Sequence, residues 1–238
     1  RLHKEVAKLI GLGYGSGNCD VAKALKSMGT VCLECNEMEK ARSLFEHALQ
    51  YQRAAFGNFR EELASTLNDI GALCYKMNDV QAALNYFQEG LTIERVSLHS
   101  NPQNIIITLL NIAQIQSDVG DYAKAIETYN EVKILQIHVY GDCSPEVASI
   151  HTNIGMMHYF LQDFPSALAC FQEALLGHCA YNGSDNLRVY CSSVELKRDY
   201  DIARILNSIG VLFFEQKKYE FAKQAFRHSI QTWQKLGQ

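Results

Sequence analysis

Leu67-Asn68-Asp69-Ile70-Gly71-Ala72-Leu73-Cys74-Tyr75, followed by Asn78-Asp79, Ala83, Phe87 and Gly90, decides the fold, because its spacing returns along the chain. Anchored on the small residue, it recurs at Gly29, Gly71, Ala113, Gly155 and Gly210, separated by 42, 42, 42 and 55 residues. Twelve residues after each anchor stands Ala41, Ala83, Ala125, Ala167 or Ala222, and four later Phe45, Phe87, Tyr129, Phe171 or Phe226. Five alignments of small, aromatic and aliphatic residues make this an internal repeat. Leu25, Met28, Gly29 and Cys32 fall at i, i+3, i+4 and i+7, one helix face; Ala41, Leu44, Phe45 and Ala48 form a second. Between them Asn36-Glu37, Asn78-Asp79, Gly120-Asp121, Gln162-Asp163 and Lys217-Lys218 supply the turn, the Asp members as helix N-caps. Asn101-Pro102 and Ser144-Pro145 mark other helix starts. Each repeat is therefore expected to be an antiparallel helix pair. The small anchor lets the second helix approach, and the ring sixteen residues on fills space against the next pair.

Composition agrees. The 238 residues are 47% hydrophobic and 20% charged with 3 Pro, which excludes a disordered chain and leaves room for long helices. No run of about 18 apolar residues is present, so no membrane span is expected. The net charge of −4 gives no reason to expect nucleic acid. Eight cysteines form no disulfide framework, which points to a reduced, cytoplasmic protein.

The pattern resembles the tetratricopeptide repeat, carried by Leu25, Gly29, Ala41, Phe45 and Ala48 in one unit and Leu206, Gly210, Ala222 and Phe226 in another. The usual unit is about 34 residues. The 42-residue variant is similar to the repeats of kinesin light chains, most of all in residues 67–75 and from Tyr140-Gly141 to Ala148. The resemblance implies an all-α, right-handed α-solenoid. Residues 1–19 are read as the end of a preceding repeat plus a connector. Residues 20–238 are read as five repeats: 20–61, 62–103, 104–145, 146–200 and 201–238. The fourth carries an extra 13 residues near 179–200.

In such a family the first helices line a concave groove. Carried onto this chain, the resemblance implies a peptide-binding set of Lys26, Asn68, Tyr75, Lys76, Asn111, Gln114, Asn153, Tyr159, Arg204, Asn207 and Phe214. Asn is a poor helix former, so Asn68, Asn111, Asn153 and Asn207 want a reason. Their amides can satisfy a peptide backbone, while Tyr75, Tyr159 and Phe214 offer apolar platforms. The other use of these amides is hydrogen bonding to neighbouring helices. Charges in the groove nearly cancel, so a largely neutral, partly apolar segment is the expected ligand.

Other signals are weak. Cys32-x-x-Cys35 lies in a helix with no second pair at zinc spacing. His151 and His158 stand seven apart without an acidic partner. The run Gly11 to Gly17 lacks dinucleotide spacing and a P-loop Lys. No catalytic residue, metal site or cofactor is expected. The expected function is a scaffold or adaptor that binds a protein or peptide. The alternative is a structural spacer, or a module that self-associates through its solenoid ends.

Overall fold

A computed structural model describes residues 19–56, 61–97, 101–181 and 200–236. Residues 1–18, with the run Gly11 to Gly17 and most of the segment read as a preceding repeat and connector, and residues 182–199 of the insertion lie outside the described residues. Among those described, all regular structure is helical. The helices are α1 (Cys19–Glu34), α2 (Met38–Phe56), α3 (Glu61–Lys76), α4 (Val80–Val96) and α5 (Pro102–Asp118). They continue as α6 (Tyr122–Tyr140), α7 (Pro145–Phe160), α8 (Phe164–Tyr181), α9 (Tyr200–Glu215) and α10 (Tyr219–Leu236).

One turn joins α1 to α2, α3 to α4, α5 to α6, α7 to α8 and α9 to α10. Asn36, Asn78, Gly120, Gln162 and Lys217 all have positive φ, between 59° and 83°. At each, the next residue's N–H reaches back to a carbonyl five residues earlier, as in Asp79 N–H to Cys74 C=O (2.9 Å) and Asp163 N–H to His158 C=O (2.9 Å). This left-handed cap closes the first helix and reverses the chain. The following helix starts at once. Asp79 Oδ1 accepts from Ala82 N–H at 3.2 Å, and Asp163 Oδ1 from Ser166 N–H at 3.3 Å. Asp121 departs from the expectation. It makes no side-chain cap bond, because its carboxylate turns to Lys124 Nζ at 2.5 Å. Asn101 and Ser144 do cap, accepting from Gln103 N–H (3.0 Å) and Val147 N–H (3.3 Å).

The anchors work by contact. A Cβ added to Gly29 would lie 2.5 Å from the Phe45 ring; at Gly71, Gly155 and Gly210 the rings of Phe87, Phe171 and Phe226 would stand 3.0, 2.8 and 2.5 Å away. The ring thus sits on the glycine of its own pair, where the sequence reading placed it against the next pair. Close approach of the two helices, not inter-repeat filling, selects glycine.

The chain divides into two compact units, residues 1–115 and 116–238. In the first, α1 packs on α2, α3 on α4, and α2 on α3. Leu25, Leu44 and Ala48 form one core cluster there. In the second, α7 packs on α6 and α8, α9 on α8 and α10, and α7 touches α9. Its core gathers Phe171, Leu175, Ile202, Ile205, Ile209 and Leu212.

Candidate functional site

The residues expected to bind lie on first helices, and their surroundings differ between the units. In residues 1–115 the charges of α1 and α3 engage one another. Lys26 Nζ lies 2.9 Å from Asp69 Oδ2 and donates to Ser65 Oγ at 2.6 Å. Lys76 is exposed and Tyr75 half-buried. On α5, Asn111 is half-buried and Gln114 exposed.

Asn68 has an internal use. Its Nδ2 donates to Thr108 Oγ1 at 2.7 Å and lies 3.3 Å from Glu94 Oε1. Thr108 Oγ1 in turn lies 2.9 Å from Glu94 Oε2. Glu94 and Thr108 are 2% and 0% exposed. The four asparagines also fall in two rows. Asn68 and Asn207 stand three residues before their anchors, Asn111 and Asn153 two, so the rows are about 100° apart around the helix.

In residues 116–238 the neighbouring first helices α7 and α9 bring four expected residues together. Asn153 and Arg204 share a small polar cleft of about 50 Å³ with Thr152, Asp201 and buried His178. Arg204 Nη1 pairs with Asp201 Oδ1 at 3.2 Å, and both side chains are exposed. One turn along, Tyr159 and Asn207 line a cavity of about 150 Å³ with Met156, Ser208 and Val211, and Phe171 at its base. Phe214 lies outside this cavity. It is exposed, with its ring 5.7 Å from that of Tyr219.

Sequence reading missed a row of polar residues on the second helices. Gln52, Glu94, Gln136 and His178 recur every 42 residues and are all 5% exposed or less. The signal was a polar residue at fixed register in an apolar stripe. The equivalent position in α10 is Trp233, which is 43% exposed, and the neighbouring Ile230 is 55% exposed, whereas Leu49, Leu91 and Leu175 at its register are buried.

His151 of α7 serves packing, whereas His158 departs from the expectation that neither histidine has an acidic partner. His151 stands where Leu25, Leu67, Leu109 and Leu206 stand in other repeats. Its buried Nδ1 has no partner, and burial, with Lys133 adding to it, lowers its pKa from 6.5 against the opposing pull of Glu173 and Asp142. His158 Nδ1 lies 3.2 Å from Asp163 Oδ2. A depressed histidine pKa means that the unfolded chain takes the proton first, so stability falls as pH drops through about 6.5. His151→Leu is expected to widen its stability advantage over the wild type between pH 7.5 and 5.5, measured by urea unfolding at both values. A gap that stays constant would mean that His151 does not carry the dependence.

Among the described residues no group of three His, Cys, Asp or Glu could hold a metal, and no helix is long and apolar enough to cross a membrane. Cys32 and Cys35 are free thiols, one half-buried and one exposed.

A family model described as the tetratricopeptide repeat matches residues 20–95 and 104–175. No curated protein matches the sequence. Among solved structures, the apo form of RapI superposes with a TM-score of 0.72 at 16% identity, covering 87% of this chain and 52% of that one. A putative kinesin light chain of Podospora anserina, with nearly identical TPR-like repeats, gives 0.65 at 12% identity, covering 77% and 86%. The Rap conjugation gene regulator of plasmid pLS20, in complex with the Phr* peptide, gives 0.53 at 17%, covering 88% and 52%. This chain spans about half the length of the two Rap structures. At these identities the likeness is one of fold.

Proposed function

We propose a function from one premise: this chain belongs to the tetratricopeptide repeat family. It acts as a protein-interaction scaffold or adaptor, and it captures an extended peptide or disordered segment along the first helices of its repeats. The observation that carries this reading is the meeting of Asn153, Tyr159, Arg204 and Asn207 in two adjoining depressions between α7 and α9. Amide and guanidinium donors there can serve a peptide backbone or carboxylate, and Tyr159 and Met156 can serve an apolar side chain. The Phr* peptide held by a Rap relative is consistent with such a role for the fold. We place the protein in the cytoplasm on its cysteine usage, and the kinesin-light-chain-like character of its 42-residue period belongs to the same proposal. No catalytic role is proposed.

The test is a peptide selected by phage display on the purified chain. Asn153→Ala with Asn207→Ala should weaken its binding about tenfold or more, as expected for the loss of two hydrogen bonds at about 1 kcal/mol each. The melting temperature should hardly move. Undiminished binding would remove the groove between α7 and α9 from the site. Self-association is a second reading, favoured by the exposure of Ile230 and Trp233 where three other repeats bury Leu49, Leu91 and Leu175 and four bury the residues from Gln52 to His178. Light scattering distinguishes it: concentration-dependent dimers that Trp233→Glu abolishes would support it, and a monomer at all concentrations would end it.

A further inference from the structure

The two depressions between α7 and α9 differ in chemistry and stand at a fixed spacing. The polar cleft is framed by Thr152 on α7 and Arg204 on α9, the apolar cavity by Met156 and Ser208. Each pair is four residues further along its helix, a rise of about 6 Å. An extended chain rises about 3.3 Å per residue and points alternate side chains the same way, so residues i and i+2 lie about 6.6 Å apart. The two depressions therefore match side chains two apart on one extended segment.

The cavity limits one of these side chains. At about 150 Å³ it is the size that holds a benzene-sized guest. Met156, Tyr159, Val211 and the base Phe171 make it apolar, and Met is adaptable to irregular aliphatic shapes. A leucine- to phenylalanine-sized side chain fits. The cleft limits the other. Arg204 has five donor hydrogens and spends one on Asp201, in a pair whose side chains are 66% and 46% exposed. Exposed pairs of this kind are weak, so the guanidinium can take a second carboxylate. Asn153, Thr152 and Ser149 add neutral hydrogen-bonding groups at the same place. Asp201 opposes an acidic guest, and its exposed pairing with Arg204 is the contact that such a guest would displace or share.

We propose that the groove between α7 and α9 selects a short extended segment in which one residue separates an acidic side chain, bound at Arg204, from an aliphatic or phenylalanine side chain, bound in the Met156–Val211 cavity. This rests on the peptide-capturing function proposed above and adds the ligand's chemistry to it.

The probe is a phage-displayed library of random heptapeptides selected on the full 238-residue chain. The expected enrichment is an acid and an apolar residue with one position between them. Arg204→Ala should erase the preference for the acid and keep that for the apolar residue. Val211→Phe, which fills the cavity, should do the reverse, with Met156→Ala as a second variant should Val211→Phe unfold the chain. Each change should weaken an enriched peptide about tenfold, the loss of one charge-assisted bond or one buried apolar contact. Enriched peptides with no such pattern, or a pattern that neither variant alters, would overturn this assignment and leave peptide capture standing elsewhere on the chain. A library that yields no enriched peptide would overturn peptide capture itself, and this assignment with it.

Discussion

Replacing Phe87 by alanine is expected to lower the unfolding free energy by about 3–5 kcal/mol, the range for deleting a fully buried ring. The ring is 1% exposed, and its carbons stand 3.0–3.1 Å from the point where Gly71 would carry a Cβ. The gap should close only in part, because the turn at Asn78 joins α3 to α4 and the helices are already in close approach near Gly90, where an added Cβ would lie 3.4 Å from the Ala64 carbonyl. Phe226→Ala is the internal control. Its ring sits on Gly210 in the same way, but Phe226 is only half-buried, so it should cost clearly less. Urea unfolding followed by helix content measures both. Equal losses, or a loss under about 1 kcal/mol at Phe87, would mean that burial at this register does not govern stability. In a repeat protein each pair's stability adds to that of its interfaces, so a partial first transition confined to residues 1–115 is also compatible with the expected loss.

The small anchor and the ring sixteen residues on were legible as a repeated choice, glycine four times out of five, but the contact between them was not, because spacing alone does not say whether a ring faces its own pair or the next. The third repeat carries Ala113 and Tyr129 at these two registers, 0% and 3% exposed. The turn was legible in position but not in conformation. Five left-handed residues stand at one register; Gly120 announces it, Asn36 and Asn78 do so more weakly, and Gln162 and Lys217 do not, because the hydrogen bonds of the reversed chain hold them there against the steric cost. The residues expected to bind were legible as positions on first helices and not as a site. Helical period alone puts Asn68 and Asn207 in equivalent places. Which of them turns inward depends on the partner helix: Asn207 meets open space beside Tyr159, whereas Asn68 meets Glu94 and Thr108. The row from Gln52 to His178 was overlooked because polar residues on second helices read as solvated until the next pair is seen to cover them.

The largest polar effect should fall on Glu94. Glu94→Ala is expected to cost about 3 kcal/mol, since it removes a buried carboxylate that accepts from both Asn68 Nδ2 and Thr108 Oγ1. The residue is 2% exposed and its two oxygens lie 3.3 Å from Asn68 Nδ2 and 2.9 Å from Thr108 Oγ1. Gly90 belongs to the same arrangement: a Cβ there would stand 2.9 Å from Asn68 Oδ1, and the other repeats carry Ala48, Val132, Ala174 and Ser229 at this register. The glycine is where Asn68 needs room, so its absence elsewhere marks the arrangement as private to the second repeat. Asn68→Ala should therefore destabilise by about 1–3 kcal/mol, and the double variant Asn68→Ala with Glu94→Ala should lose less than the sum of the two. Asn207→Ala, on an exposed face, should stay within about 0.5 kcal/mol of the wild type. Denaturant midpoints of these four proteins decide between the two uses of the repeated asparagines. Additive losses at Asn68 and Glu94, or a loss at Asn207 as large as at Asn68, would break the distinction between an amide that holds helices together and one left open for a ligand.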